Sequence, residues 1–283
     1  MSQVLAAMRG IFNPKSRVLD PFNGVHYGSK ASMQLINGPT YQEIEISCSA
    51  VDKIRRVSMT LNGEEFIAIT PAQLKVLDQQ KKIFVDPSNK RVIIRFADFT
   101  LRTRAGIRSC ELVTKPTDLI FIYVEFDAQV DGDPVLTLSA RAKVTAPQPQ
   151  RYFLPRLITD TWNHNAGGML PHQYKQRSQF RFLRRMLLSS PTNDIQKIEI
   201  WRDDKIEHEV TAADNAFDLA VHNREAVDGY FVLDYLMYGF GEDGKFPTAA
   251  MKSLEFKVTK DSAEPITVLY DLVDVVAMPP KAA

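Results

Sequence analysis

VSMTLNGEEF at residues 57–66 and IEIWRDDKIE at residues 198–207 are two versions of one pattern. In each, apolar and polar residues alternate up to a pair of turn-forming residues, Asn62-Gly63 in the first stretch and Asp203-Asp204 in the second. Alternation predicts a strand with one buried face, and Asn-Gly is a strong hairpin signal because both central residues of a tight primed turn need positive φ. The sequence therefore predicts the same hairpin twice.

The similarity between the two halves extends beyond the hairpin. Val57 aligns with Ile198 at an offset of 141 residues (198 minus 57). Other pairs follow: at the same offset Ile54 with Ile195, Met59 with Ile200 and Ile69 with Val210, and after one inserted residue Leu74 with Ala216 and Leu77 with Leu219. Such self-similarity indicates one structural unit that is used twice.

The order of the predicted elements is also shared by the two halves. Each half reads as a strand, the hairpin, a short helix, two further strands, an acidic turn and a last strand. The helices are predicted near residues 72–82 and 212–223, and YFVLDYLMYGF at 230–240 predicts a long strand. Strands without intervening helices favour antiparallel sheets packed as a sandwich or a jelly roll.

The predicted fold class is all-β, with two tandem eight-stranded jelly rolls that each carry a short helix. About six strands can be recognised in each half, so the missing strands are expected in the irregular stretches. The predicted segments are an N-terminal arm at 1–35, the first jelly roll at 36–146, a linker at 147–175, and the second jelly roll with the C-terminal tail at 176–283. APQPQ at 146–150 marks the linker, since its residues have no apolar partners and belong outside a core.

Two predicted helices carry an apolar stripe. In the arm, helical spacing brings together Val4, Leu5, Met8, Ile11 and Phe12. This stripe either packs on its own domain or docks on a neighbouring subunit or a membrane surface. In the helix of the second half, one face is formed by Ala213, Ala216, Phe217, Ala220 and Val221.

The composition limits the classes of function. Among 283 residues, 35 Lys and Arg nearly balance 34 Asp and Glu, whereas a dedicated nucleic-acid binder needs a basic surface. No apolar run approaches the roughly 20 residues that span a bilayer. The first residues lack the features of a signal peptide, so synthesis in the cytoplasm is expected. The two cysteines, Cys48 and Cys110, are expected to be buried free thiols rather than a bridge.

Two short motifs suggest ligand binding, but their context argues against it. GFGEDG at 239–244 matches the glycine pattern of dinucleotide sites, yet Pro247 breaks the helix that should follow, so a surface turn is predicted. KQRSQFRFLRR at 175–185 combines basic and aromatic residues, as in nucleic-acid binding. Its alternation fits a strand with one buried face, and this is the interpretation we favour.

Metal and catalytic chemistry are also weakly supported. His164 and His172 lie eight residues apart with no nearby cysteine or carboxylate cluster, which fits no metal spacing. Asp131 and Asp133 belong to an acidic loop that could hold calcium but lacks the EF-hand spacing, so a solvated turn is favoured. No nucleophile stands in the context of a nucleophile elbow. The sequence therefore predicts a protein whose function is assembly rather than catalysis.

The chain resembles the major capsid proteins of corticoviruses, which are tailless icosahedral bacteriophages with an internal membrane. The resemblance runs from about residue 36 to 276. It rests on VSMTLNGEEF and the leucine-bearing helix after it, SCEL at 109–112, KIEIWRDDKIEHEVTAADNAFDLA at 197–220 and GYFVLDYLMYG at 229–239. It is carried by strand pattern, hairpins and the repeat.

The resemblance implies a structural role in the capsid of a double-stranded DNA virion. It implies upright double jelly rolls and homotrimers whose six rolls form a pseudo-hexagonal tile. The implied partners are other copies of the chain, a penton or vertex protein, and the underlying viral membrane or its proteins. No cofactor is expected, apart from structural calcium as an open option. The alternatives are a minor vertex or spike protein of the virion and a tandem β-sandwich that binds carbohydrate.

Overall fold

The computed structural model describes residues 14–241 and 243–277. The first half forms a jelly roll of two facing antiparallel sheets. One sheet has the order β1-β9-β3-β6 with the short β7 beside β3, and the facing strands have the order β5-β4-β8-β2. The strands are β1 (Lys15–Val18), β2 (Lys30–Gln34), β3 (Thr40–Cys48), β4 (Ile54–Leu61), β5 (Glu64–Ile69), β6 (Arg91–Arg95), β7 (Leu112–Val113), β8 (Ile120–Phe126) and β9 (Leu138–Thr145). The helices are α1 (Pro71–Gln80), α2 (Arg104–Arg108) and a 3₁₀ turn at Val51–Lys53.

The second half repeats this architecture strand for strand. One sheet has the order β10-β18-β12-β15 with the short β16 beside β12, and the facing sheet has the order β11-β17-β13-β14. The strands are β10 (Phe153–Trp162), β11 (Gly168–Gln173), β12 (Arg181–Ser189), β13 (Ile195–Arg202), β14 (Lys205–Thr211), β15 (Phe231–Asp234), β16 (Phe246–Pro247), β17 (Leu254–Lys260) and β18 (Ile266–Val275), with α3 (Ala212–Val221) after β14. Each strand of the first roll thus has a counterpart nine strands later. The predicted double jelly roll is confirmed, with one extra two-residue strand in each described roll.

The hairpins explain why the repeat is visible in sequence. β4 and β13 begin and end 141 residues apart, and both have the same order of buried and exposed residues. Both hairpins contain a β-bulge at the same place, after Met59 and after Ile200. Both turns adopt positive φ, with 52° at Asn62 and 49° at Asp203. Asn and Asp tolerate this conformation better than other residues with a Cβ, so either pair can close the hairpin.

The helices after the hairpins also match. α1 and α3 begin and end at the same offset of 141, so the inserted residue of the sequence alignment is not needed. Each helix is capped by a threonine: the hydroxyl of Thr70 accepts from the N–H of Gln73, and that of Thr211 accepts from the N–H of Asp214. Such caps satisfy N–H groups that a helix start leaves without partners. The first roll also contains the short α2, which the sequence pattern did not predict.

Two predicted segment boundaries were wrong. β1 and β2 lie in residues 14–35, which the sequence assigned to the arm, and β10 and β11 lie in the predicted linker at 147–175. The sequence hid these strands because β1 is polar and exposed, while β10 and β11 contain Pro155 and Pro171, which count against strands. The connection between the rolls is short and lies between Thr145 and Phe153. The arm residues Val4, Leu5, Met8, Ile11 and Phe12 lie outside the described residues.

One predicted strand was too long. YFVLDYLMYGF forms strand only over β15, and turns follow Asp234. The carboxylate of Asp234 accepts from the N–H of Leu236, which turns the chain away from the sheet. Among the described residues, no helix is both long and apolar enough to cross a lipid bilayer.

The cysteines are free and buried, as predicted. Burial raises the pKa of the Cys48 and Cys110 thiols, which lowers the fraction of reactive thiolate. We expect almost no reaction of the native protein with a thiol reagent, and reaction of both thiols after denaturation without reductant. Titration with a chromogenic disulfide reagent measures this. Thiols that appear only after a reductant is added would contradict it.

Candidate functional site: the joint between the two jelly rolls

The two rolls are joined by a shared sheet. β5 of the first roll pairs in parallel with β10 of the second, with Ile67 opposite Leu157 and Ala68 opposite Ile158. This contact fuses strands of both rolls into one nine-stranded sheet. The apolar core of the first roll continues across the contact and includes side chains of the second roll: Leu154, Leu157, Leu187, Leu219, Val232 and Leu269. The contact therefore has the character of a core rather than of two touching surfaces.

Helix α1 lies across the outer face of the second roll. At one end the Thr159 hydroxyl of β10 lies 3.3 Å from Gln73 Oε1, and at the other end Gln80 Nε2 donates to Asp234 Oδ2 of β15 at 2.8 Å. Between these ends the helix buries Leu74 and Leu77 in the shared core. We call the contact made by β5 and α1 with β10, β12, β15 and β18 the joint.

Charged side chains are buried at the centre of the joint. Arg185 is fully buried and contacts three carboxylates: Nη2 lies 2.8 Å from Asp98 Oδ2, Nε 3.1 Å from Asp234 Oδ2 and Nη1 3.2 Å from Asp271 Oδ2. Asp98 comes from the first roll and the other three residues from the second. We call the full set the joint cluster: Lys81, Asp98, Arg184, Arg185, Arg224, Asp234 and Asp271.

A β-bulge creates this arrangement. The register of β12 against β18 shifts between Leu183 and Arg185, which leaves Arg184 as the extra residue. Arg184 Nη1 lies 3.2 Å from Asp271 Oδ1, so Asp271 contacts both arginines. A bulge re-aims a side chain that regular alternation would send to the opposite face. The bulge thereby allows two consecutive arginines to contact carboxylates on the same side of the sheet.

The electrostatics of the joint favour the ionised forms of Asp98 and Arg185. Burial alone would raise the pKa of Asp98, but Lys81, Arg185 and Arg184 outweigh it and hold the pKa of this carboxyl well below its usual range. Burial opposes the charge of Arg185 as well, yet its three carboxylates raise its pKa. Burial lowers the pKa of Lys81 although Asp98 opposes this effect. Each charge in the joint is therefore tolerated because of its partners, and some of these partners lie on the other roll.

A second contact between the two rolls, outside the joint, depends on glycines. The N–H of Arg102 donates to the carbonyl of Gly239 at 2.9 Å. A Cβ added to Gly241 would lie 2.5 Å from Leu101 Cδ1 and 3.2 Å from Gly106 Cα. The described residues of GFGEDG, 239–241 and 243–244, lie in bends and turns, as predicted, but Gly239 and Gly241 are buried against the first roll rather than exposed at the surface. Because glycine has no Cβ, Gly241 and Gly106 allow two chain segments to approach each other closely.

The short connection between the rolls is clamped by polar contacts. Gln148 is buried although its segment was predicted to lie outside a core, and its Nε2 donates to Glu111 Oε2 at 3.1 Å. The same oxygen accepts from Arg108 Nε at 2.8 Å, and Arg151 pairs with Asp118 at 2.8 Å. These contacts hold the connection against the first roll.

Other sequence candidates lie away from the joint. His164 Nδ1 and His172 Nε2 are 3.1 Å apart, and the ring of His172 stacks on Trp162. Burial and His164 lower the pKa of His172 to about 4, and burial lowers the pKa of His164, so both rings favour the neutral form at pH 7. Asp133 contacts Lys53 Nζ at 3.0 Å and accepts from the N–H of Val130. Among the described residues, no three metal-ligating side chains form a group.

Within the basic stretch at 175–185, Arg181–Arg185 forms the start of strand β12, as favoured from the sequence, whereas residues 175–180 precede the strand. The role of this strand in the joint is not evident from the sequence pattern. From the sequence, Arg184 and Arg185 read either as nucleic-acid contacts or, in the favoured interpretation, as residues of a strand with one buried face. The signal that could have revealed the joint is a set of single aspartates inside apolar runs, in RFADF, FVLDY and VLYDLV. Carboxylates at such positions need buried cations as partners.

Comparisons with known proteins agree with this architecture. Two family descriptions match the chain: "Viral coat protein P2 N-terminal domain" over residues 16–145 and "Viral coat protein P2 C-terminal domain" over residues 154–276. No curated protein sequence matches the chain.

Solved structures show the same fold. The chain is similar to the major capsid protein P2 from bacteriophage PM2, with a TM-score of 0.81, 17% identity, and coverage of 94% of this chain and 98% of that chain. It is also similar to the major capsid protein of Sulfolobus turreted icosahedral virus, with a TM-score of 0.69, 10% identity and coverage of 93% and 97%. The capsid of PBCV-1 gives a TM-score of 0.66, 10% identity and coverage of 97% and 98%.

The two family matches cover most of the chain and divide it where the structure divides it, at the short connection between the rolls. The similarity to corticovirus capsid proteins is thus confirmed. The chain belongs to the viral coat protein P2 family and is a viral major capsid protein of the double jelly-roll type.

Proposed function

We propose that this chain is the repeating tile of an icosahedral bacteriophage capsid and assembles as a homotrimer with pseudo-hexagonal outline. The observation that carries the proposal is the duplicated roll held rigidly by the buried joint. Two similar rolls in each of three subunits present six similar edges, so true threefold symmetry can fill a nearly hexagonal lattice position. A tile that must keep its shape in a lattice benefits from a joint with core-like packing.

The chain termini suggest how the tile is oriented. β1 begins at Lys15 opposite Val144, near the end of β9, and β18 ends at Val275 opposite Phe153, the start of β10. The first strand therefore starts at the end of the molecule where the last strand stops. We place this end toward the inside of the shell, so that the apolar arm residues reach the underlying viral membrane or a neighbouring subunit.

The remaining parts of the proposal concern context. The tile is made in the host cytoplasm, meets a vertex protein at the fivefold positions, and covers double-stranded DNA enclosed in an internal membrane. It performs no catalytic step and needs no cofactor for folding. Its nearly neutral charge suits a shell that lies on lipid rather than on bare DNA.

The oligomeric state and the copy number test this proposal. We expect static light scattering of the purified protein to give the mass of a trimer, since the duplicated edges need three subunits to close. We expect mass spectrometry of purified particles to find this chain as the most abundant protein. A low copy number would favour the minor vertex protein. A monomer at micromolar concentration that is absent from particles would contradict the proposal.

Deletion of residues 1–12 tests the arm. Fully burying one large apolar side chain stabilises a contact by about 1.5–3 kcal/mol, so the five arm residues together can contribute strongly to assembly. We expect the deletion to leave the folded trimer intact, because β1 begins only at Lys15, but to reduce shell formation. Electron microscopy of assembled particles measures the effect, and unchanged shells would argue against an arm that docks.

A further inference from the structure

We propose that the contact between neighbouring subunits repeats the joint within each subunit. The surface of the second roll that corresponds to β5 and α1 is formed by β14 and α3. The surface of the first roll that corresponds to β10, β12, β15 and β18 is formed by β1, β3, β6 and β9. In this arrangement β14 and α3 of one subunit dock on β1, β3, β6 and β9 of a second copy. This inference rests on the proposed trimer and specifies the residues of its seam.

The strands of the proposed seam are edge strands. β1 and β14 each end a sheet. All four residues of β1 are exposed, and in β14 only Val210 is buried. Exposed strand edges carry backbone groups that pair readily with another strand. β5 and β10, their counterparts, use these edges to pair with each other.

The internal repeat fixes the register of the seam. Leu157 and Ile158 of β10 lie opposite Asp271 and Tyr270 of β18. When the β-bulges of the two rolls are aligned, Ser16 and Arg17 of β1 correspond to Leu157 and Ile158 of β10. The offset of 141 makes His208 and Glu209 of β14 correspond to Ile67 and Ala68 of β5. A repeated joint therefore places Ser16 opposite His208 and Arg17 opposite Glu209.

The charges of the two strands are largely complementary. β1 carries Lys15 and Arg17, whereas β14 carries Glu207 and Glu209 near the predicted register. The Arg17–Glu209 pair brings opposite charges together. One pair of the joint is not reproduced, because Arg156–Glu64 corresponds to Lys15–Lys205. Complementary charges steer association and fix the register of an interface.

The first roll has a groove that corresponds to the surface on which α1 packs in the second roll. In the joint, Leu187 of β12 lies between Leu269 and Val232 on the face that packs into the shared core with α1. The corresponding residues of the first roll, Glu45 between Arg141 and Ile93, line an open groove of about 460 Å³ that also contains the exposed Phe84. The groove is where the counterpart of α1 would lie.

Helix α3 offers the side chains for this groove. Its sequence-predicted apolar face does not pack on its own roll: Phe217 is 69% exposed and Val221 is 61% exposed, while Leu219 is buried. An apolar face left in water favours a partner surface. We place α3 of a second copy in this groove because α1, its counterpart at the offset of 141, already packs on the corresponding sheet face within each chain. Such a head-to-tail contact closes a ring when its rotation allows, and three copies would then have three joints within subunits and three corresponding seams between subunits.

Cross-linking tests the register. Paired residues on adjacent strands lie about 4.8 Å apart, which suits a disulfide. We expect Ser16→Cys with His208→Cys to form a covalent trimer after oxidation, seen on a non-reducing gel. The single variants and the off-register pair Ser16→Cys with Lys205→Cys should stay largely uncross-linked. The native cysteines are buried and can remain.

Charge and helix variants test the seam without cysteines. Arg17→Glu or Glu209→Arg should weaken the trimer by about tenfold or more, because like charges then face each other, and the double variant should restore it. Phe217→Asp should disrupt the trimer, whereas Val135→Asp, at an 87% exposed position outside the seam, should not.

The outcomes separate the seam from the proposed function. A trimer by light scattering that shows no register-specific cross-link and tolerates Phe217→Asp would overturn the seam and leave the trimeric tile intact. If the arm of a neighbouring subunit filled the groove instead, the trimer would also lack the register-specific cross-link and tolerate Phe217→Asp. In that case the groove would become accessible to solvent when residues 1–12 are deleted, and the proposed seam would again be overturned. An unmodified protein that stays monomeric would overturn both.

Discussion

Replacing Arg185 with methionine is expected to lower the free energy of unfolding by about 3–5 kcal/mol, the cost of removing one partner from a buried ion pair. Methionine keeps much of the side-chain volume, so the loss reports mainly on charge. Asp98, Asp234 and Asp271 would each lose their contact with the Arg185 guanidinium. Urea unfolding followed by tryptophan fluorescence at one fixed protein concentration measures the change.

Arg55→Met is the matched control. Arg55 also pairs with a carboxylate, Glu125, at 2.9 Å, but its side chain is 65% exposed. An exposed pair contributes about 0–1 kcal/mol, so this variant should be nearly as stable as the parent protein. If Arg185→Met were as mild as Arg55→Met, the joint cluster would not hold the rolls together.

A double variant locates the effect at the joint. Asp98→Asn removes the carboxylate that the first roll contributes to Arg185. Because Asp98 and Arg185 contact each other directly, the double variant Asp98→Asn with Arg185→Met should cost less than the sum of the two single variants. Additive losses would instead mean that each residue acts through separate contacts within its own roll.

The sequence revealed the repeat because the hairpins obey local rules. Val57 and Met59 alternate with polar residues and face the core, as do Ile198 and Ile200, and a positive φ at the turn demands residues such as Asn62. Local propensity and tertiary packing favour the same structure at these positions, so the hairpins can be predicted from the sequence pattern. The double jelly roll could therefore be predicted from two hairpins and their common spacing.

The joint could not be predicted in the same way, since its residues are far apart in sequence. Asp98, Arg185 and Asp271 read as ordinary charged residues at strand positions until the two rolls are placed side by side. β10 was hidden for a related reason: it contains Pro155 and ends in polar residues, and it becomes a strand because β18 pairs along its whole length. Tertiary context overrides a weak local signal at these positions.

Cavities made in either roll are expected to destabilise the whole chain rather than one roll. Met59→Ala in β4 and Ile200→Ala in β13 remove fully buried side chains at corresponding positions. Each should lower the free energy of unfolding by about 2–5 kcal/mol, through lost apolar burial and an unfilled cavity. Because the shared sheet and core cross the joint, both variants should shift the same single unfolding transition to lower urea concentration.

Two probes distinguish this result from independent rolls. Both tryptophans, Trp162 and Trp201, lie in the second roll, so their fluorescence reports on that roll, whereas far-ultraviolet circular dichroism reports on both. For a joined chain, Met59→Ala in the first roll should move the tryptophan transition as far as the circular dichroism transition. If tryptophan fluorescence ignored Met59→Ala but followed Ile200→Ala, the rolls would unfold separately. Adding Arg185→Met should bring the chain toward that separate behaviour, because it removes the shortest buried charge contact between the rolls, Arg185–Asp98, while leaving each roll's own core in place.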